Sequence, residues 1–266
     1  MNDKVKKRIQ INLTKLFHFL LPFIVVILLW EFIVDSGIIS QIPSPYNLFI
    51  RFIQITFEKN ILAQHLQQSI YRLLTGYFLA SILGIALGTL MGIKKQISEM
   101  FSPILSLLIA IPTIAWVPIL LITLGLGNET VITAIFLGGF FAIAYSTMHG
   151  IKTVNKSLIN AAKTMGSGKK SLFFHVYLPG SLVSLLPGLR LAIGYSWRAL
   201  VGAEMLAALV KWGVGKMIYS ARFFNDVELM FLGLIIIGLA GLILDHVVMG
   251  TLEKWTIEKW GMIQEG

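Results

Sequence analysis

The sequence contains repeated runs of about 20 residues almost free of charged side chains. As a helix, a run of that length crosses roughly 30 Å of hydrocarbon, and its backbone groups must be satisfied within the segment. A chain that repeats such a run cannot fold as a water-soluble globule. Only 13% of the 266 residues are charged and 56% are hydrophobic, whereas a soluble domain carries about a quarter charged residues. The lipid bilayer is therefore the first partner, and an all-α membrane protein is the expected fold class.

The first span is placed at about residues 16–34 and the second at about 70–93. A third covers about 103–124, a fourth 130–150, a fifth 187–209 and a sixth 229–250. Between the first two, Pro43-Ser44-Pro45 breaks the pattern, and Tyr46–Phe57 has the spacing of an amphipathic helix lying at the outer interface. The second span carries Gly76, Gly84, Gly88 and Gly92, and small residues at such spacing allow close helix approach in lipid. Pro103, Pro112 and Pro118 require the third span to be kinked or broken. Flexing there and at the glycines is what alternating access needs, and packing alone would use the same residues.

Cations fall unevenly around these spans. Fourteen of the 22 lie in the N-terminal flank, after the second span, in the 151–186 loop and in the tail. Six lie on the opposite side, and Arg190 and Arg198 fall in the fifth span. The excess puts both termini in the cytoplasm, and it accounts for the net charge of +9 without nucleic acid. The basic N-terminus resembles a signal peptide, but the long apolar run without a small-residue cleavage site reads as a retained anchor. There is no cysteine, which removes disulfides and thiolate chemistry. His18, His65, His149, His175 and His246 are scattered singly, so no metal site is expected. Without a repeat of fixed period or a second domain, residues 1–266 form one transmembrane domain.

The 151–186 loop is the longest polar interruption between the later spans. It contains Asn160-Ala161-Ala162-Lys163-Thr164-Met165-Gly166, then nine residues, then Val176-Tyr177-Leu178-Pro179. Leu158, Ala162 and Met165 at i, i+4 and i+7 give a short helix one apolar side. Gly166 and Gly168 permit a sharp turn, and Pro179 is expected to stop the following segment. The loop resembles the cytoplasmic coupling loop of ABC-importer permeases: Glu-Ala-Ala, three residues, Gly, nine residues, Ile-x-Leu-Pro. Asn160 stands in place of the usual glutamate and Val176 in place of isoleucine.

Other segments resemble the nitrate, sulfonate and taurine branch of that binding-protein-dependent family. They are Ile42-Pro43-Ser44-Pro45, Trp116-Val117-Pro118-Ile119 with Gly125-Leu126-Gly127, Gly188-Leu189-Arg190-Leu191-Ala192, and Ser196-Trp197 with Ala203-Glu204. The resemblance implies an ABC type I importer-like permease fold in the bacterial cell membrane. It implies ATPase docking through Asn160, Ala161, Ala162, Gly166, Leu178 and Pro179. It also implies a permease homodimer or a pair with a close paralogue, two cytoplasmic ATPase subunits and an external solute-binding protein. ATP and Mg would sit on the ATPase subunits, with no cofactor on this chain. In keeping with this, Gly166-Ser167-Gly168-Lys169-Lys170-Ser171 is no phosphate loop. Lys163 stands where its first glycine belongs and Lys170 where Ser/Thr belongs.

Charges at membrane depth cost about 2.5–3.5 kcal/mol on insertion scales, so they face the bundle interior or water. Arg198 and Glu204 are six residues apart, roughly 120° in azimuth, and are expected to pair across to other helices rather than with each other. Tyr195, Ser196, Trp197, Arg198 and Glu204 are the candidate substrate pathway, with Arg198 as contact for a passing anion. A structural ion pair or hydrogen-bonded cap is the alternative role for Arg198. Asp245 beside His246, and Glu31, read as interfacial. The function expected is the permease half of an ATP-driven importer of a small solute, an organic anion such as a sulfonate or taurine, or nitrate. Two other classes fit less well. An intramembrane enzyme lacks paired catalytic groups, and an ion-coupled secondary transporter would favour inverted repeats.

Overall fold

The computed structural model describes residues 3–37, 41–58, 60–207 and 209–253. Among them there are helices and connections but no strand. α1 (Asp3–Asp35) runs unbroken through the first expected span, and its Phe23, Val26, Leu28 and Phe32 are exposed, as lipid-facing side chains would be. α2 (Pro45–Ile53) is capped by Ser44, whose hydroxyl accepts from the Asn47 amide. Its Leu48 is buried while Tyr46, Phe49 and Ile53 are exposed, the two-faced pattern expected of the interfacial helix. Arg51 of α2 is paired with Asp226.

α3 (Ile61–Ile93) starts nine residues earlier than the second span expected from hydropathy. His65, Ser69 and Arg72 of its first turns are buried against other protein, so apolar content alone underestimates its length. α4 (Lys95–Ala110) and a 3₁₀ turn (Thr113–Trp116) leading into α5 (Val117–Leu124) make the third span. The two arms bend by 93° at Ile111-Pro112. Proline cannot continue the hydrogen-bond ladder and biases the preceding residue toward extended backbone, and Ile111 is extended. α6 (Asn128–Thr153) is the fourth span.

α7 (Lys156–Thr164) and α8 (Lys169–Leu172) lie in the loop, and α9 (Leu178–Leu206) is the fifth span. α10 (Val214–Phe223), which hydropathy did not predict, fills the connection to α11 (Val227–Leu242). Among the described residues, four helical runs are long and apolar enough to cross a membrane, and the α4–α5 pair makes a fifth. Five of the six expected spans thus fall on α3, α4–α5, α6, α9 and α11, and the first lies along α1.

Pro179 does not stop the chain, contrary to expectation. Helix runs continuously from Lys169 to Leu206. The stretch Phe173–Tyr177 is π-helical, with the Leu178 amide donating to the Phe173 carbonyl. This wider turn shifts the hydrogen-bond register just before the proline, which then occupies the first turn of α9, where a missing N–H is tolerated.

The centre is an α3–α6–α9 stack. Glycines on α3 and α6 set its spacing: a β-carbon at Gly76 would lie 2.7 Å from Ile135 Cβ, and one at Gly92 2.6 Å from Ile151 Cβ. On the other side of α6, a β-carbon at Gly139 would lie 2.7 Å from Ser196 Oγ. Leu73, Val131, Ile135, Trp197 and Leu200 fill the core between these helices. The stack also defines two ends. Lys152 Nζ at the end of α6 donates to Ser98 Oγ (2.6 Å) just past the end of α3, and the α7–α8 loop follows there. At the opposite end, the starts of α3 and α6 meet the end of α9.

Candidate functional site

At the loop end, Asn155 caps α7 by accepting from the Ser157 amide (2.8 Å). The C-terminus closes in a paired pattern. The Ser167 amide donates to the Ala162 carbonyl and the Gly166 amide to the Lys163 carbonyl, both at 3.0 Å, with Gly166 at φ +80°. This is the left-handed helix stop that glycine adopts without a β-carbon penalty. Ala162 is buried and fixes α7 to the protein, but Leu158 and Met165 do not share its face as the spacing suggested. They are 60% and 80% exposed, an unusual state for large apolar side chains on a charged loop. Asn160, Ala161 and Gly166 are exposed too, while Leu178 and Pro179 are half-buried at the start of α9.

Midway along the bundle, a cavity of about 420 Å³ lies between the bent third span, α6 and α9. Its walls are mostly apolar, with Pro112, Ile114, Trp116 and Phe141 among them, and Tyr195 and Arg198 enter it from α9. The bend stays close to α9 because Gly202 leaves room for Ile114: a β-carbon there would lie 2.7 Å from Ile114 Cδ1. The Arg198 guanidinium lies 5.7 Å from the Tyr195 ring centroid, within cation–π range. No carboxylate partners Arg198 among the described residues. By contrast, Arg190 makes two bonds of 2.7 and 2.8 Å to Asp245. Asp245 is therefore tied across to α9 while its side chain stays partly exposed.

The five candidate pathway residues divide by helical azimuth. Tyr195 and Arg198 face the cavity. Ser196 is buried and donates to the Ile135 carbonyl (3.0 Å), and Trp197 donates to the Ile237 carbonyl (3.3 Å). Glu204 is fully buried at the far end of α9.

There, Glu204 belongs to a polar cluster that sequence reasoning missed. Arg72 Nη1 donates to Glu204 Oε1 (2.6 Å), and Ser69 Oγ lies 2.8 and 2.9 Å from the two carboxylate oxygens. The Gly215 amide donates to Oε2 (3.0 Å), and the Val214 amide donates to Ser69 Oγ (2.9 Å). Arg72 also donates to the Trp212 carbonyl (2.7 Å) and the Asn128 side-chain oxygen (2.8 Å). His65 Nδ1 lies 3.0 Å from the Gly213 amide and 2.6 Å from its carbonyl oxygen, and the tautomer decides which contact is the hydrogen bond. His65, Ser69 and Arg72 stand at i, i+4 and i+7 and form one polar stripe of α3 that holds the backbone of 212–215. That spacing, inside an otherwise apolar helix, was the available signal. Arg72 is buried there. Glu204 pairs with another helix, as its distance from Arg198 required.

The described residues contain no group of three or more His, Asp or Glu that could hold a metal. The arrangement therefore offers a surface, a cavity and a structural clamp.

Comparison with known proteins adds the lineage. Residues 76–254 match the model of a family described as "Binding-protein-dependent transport system inner membrane component". An ABC transporter permease protein of Methanocaldococcus jannaschii is 35% identical over 251 residues, covering 92% of this chain and 93% of its own. The aliphatic sulfonates transport permease protein SsuC of Bacillus subtilis is 32% identical, covering 89% and 87%. An inward-facing structure of the MetNI methionine ABC transporter matches with a TM-score of 0.62 at 16% identity, over 72% of this chain and 94% of that one. At that identity the likeness concerns the fold.

Proposed function

The chain belongs to the family of binding-protein-dependent transport system inner membrane components, and from that premise we propose how it couples to ATP hydrolysis and what it carries. It is the permease subunit of an ABC importer, a multi-pass protein of the inner membrane and not an enzyme. The family implies ATPase and binding-protein partners.

The exposed edge of α7 is the docking element for a cytoplasmic ATPase subunit. Leu158 and Met165 present apolar side chains to the partner, beside Asn160 and Ala161. Ala162, Gly166, Leu178 and Pro179 hold that edge in place. The observation that carries this reading is the exposure of Leu158 and Met165 on a helix with a buried anchor at Ala162 and a glycine stop at Gly166. Large apolar side chains exposed together on a polar loop mark an interaction site. The loop end then faces the cytoplasm with both chain termini, in agreement with the cation excess. Two permease chains, as a homodimer, would bind two ATPase subunits carrying ATP and Mg.

The solute is an organic anion such as a sulfonate or taurine, or nitrate, delivered by the external binding protein. Arg198 supports this choice, because it is a cation in a mostly apolar cavity with no carboxylate beside it among the described residues. Tyr195 orients its guanidinium from the preceding turn of the helix.

Co-purification tests the coupling assignment. Met165→Glu and Leu158→Glu together should abolish recovery of the ATPase with the tagged permease and leave the permease itself folded. Undiminished recovery would refute the docking role of α7.

A further inference from the structure

A second cavity, of about 300 Å³, opens at the end of the bundle away from α7. It lies between the first turns of α3, the turn before α6 and the segment leading to α10. Gln68 and Arg72 line it from successive turns of α3, Asn128 from the start of α6, and Lys211 and Trp212 from the segment after α9. No carboxylate lines it.

The donors around it are incompletely used. Arg72 spends Nε on Asn128 and Nη1 on Glu204 and Trp212, and its Nη2 has no hydrogen-bond partner among the described residues. Asn128 accepts from Arg72 through its oxygen, which fixes the amide and leaves its NH₂ group as a free donor. The Gln68 amide and the Lys211 ammonium likewise have no hydrogen-bond partner among the described residues. Lys211 Nζ lies 5.6 Å from the Trp212 ring centroid, over an aromatic face that holds it at the cavity rim. Arg72 and Lys211 bring two positive charges and Glu204 cancels one, so the cavity keeps one net positive charge.

We propose that this cavity is a binding site for a free, small monoanionic oxyanion with a carboxylate or sulfonate head. A guanidinium nitrogen, two amide groups and an ammonium supply donors for its oxygens, and the single net charge matches a monoanion. The site goes beyond the docking and pathway assignments, because neither α7 nor Arg198 takes part. The bound anion rests on the guanidinium that already holds Glu204 and the Trp212 carbonyl, so occupancy and the order of residues 209–215 are thermodynamically linked.

The test uses the full-length chain, purified in detergent or nanodiscs, with its melting followed by intrinsic fluorescence. Methanesulfonate or acetate replaces chloride at constant ionic strength. The expected result is a saturable rise in Tm of about 3 °C. The comparison is made in an Arg198→Gln background, so that the other cavity does not contribute. There Lys211→Gln combined with Gln68→Leu removes the rise, while Lys170→Gln, at the α7 end, keeps it. Absence of any rise in the Arg198→Gln protein, a drift that does not saturate, a rise unchanged on adding Lys211→Gln and Gln68→Leu, or its loss on adding Lys170→Gln would each overturn the proposal.

Discussion

Arg72 on α3 and Glu204 on α9 stand 132 positions apart in the chain and meet at 2.6 Å, 2% and 0% exposed. Removing one member of a buried ion pair strands the other, at a cost of about 3–5 kcal/mol, whereas replacing both with apolar residues of similar volume is often neutral. Glu204→Ala should therefore sharply lower the yield and melting temperature of the purified permease. Arg72→Met with Glu204→Leu should recover a large part of the loss, although Ser69 and the Gly215 amide then lack their acceptor and the Trp212 carbonyl its donor. Equal melting of the single and double variants would show that the charge pairing is not what matters.

The α3–α6 seam gives a steric prediction. A β-carbon at Gly76 would fall 2.7 Å from Ile135 Cβ, too close without displacement. Gly76→Ala should cost about 1–3 kcal/mol, as overpacked cores do. Ile135→Ala keeps its own β-carbon, and the Ile132 carbonyl oxygen also lies 2.8 Å from the added carbon. Gly76→Ala combined with Ile135→Ala therefore relieves only the Cγ2 contact and should stay close to the sum of the two single changes. A thermal double-mutant cycle measures that additivity.

Most of the fold was legible in the sequence because lipid imposes a simple rule, and long apolar runs, the glycine row on α3 and the prolines of the third span all obey it. Individual residues were harder to place. Tyr195, Ser196, Trp197 and Arg198 are neighbours in sequence, but each helical step turns about 100°, so four consecutive residues cannot share one face. Only Tyr195 and Arg198 reach the cavity. The clamp at 212–215 was hidden for another reason: its acceptors and donors are largely backbone atoms, which leave no composition signal. At Pro179 the obstacle was local, since a π-helical stretch absorbs the proline that would end an ordinary helix.

Arg198 yields a transport prediction. Arg198→Gln keeps the volume and removes the charge, and loss of one charge-assisted hydrogen bond to the solute corresponds to about a tenfold rise in its half-saturating concentration. Arg198→Lys should restore part of it. ATPase co-purification should be unchanged in both, since the cavity is remote from α7. An unaltered transport curve for Arg198→Gln, measured in reconstituted vesicles, would remove Arg198 from the pathway.

Gly166 yields a ranked series. Its φ of +80° costs an ordinary L-residue about 1–2 kcal/mol, and asparagine tolerates that region better than alanine. No atom lies within 4 Å of a β-carbon built there, so backbone strain and not crowding should set the order. ATPase affinity should fall from glycine to asparagine to alanine, with the alanine variant weaker by roughly tenfold. Co-purification across a salt or detergent series measures the ranking.

The unbroken helix from Lys169 to Leu206 has 38 residues, which at 1.5 Å per residue is a rod about 57 Å long. One tip carries the loop that follows α7, and the other carries Glu204. A tilt of only about 5° pivoting at the loop tip moves the Glu204 tip by roughly 5 Å, about one helical turn's rise. With Arg72 fastened to that tip, such a stroke cannot be dissipated by sliding of α9 past α3. The two helices must travel together, as a lever with its load bolted on.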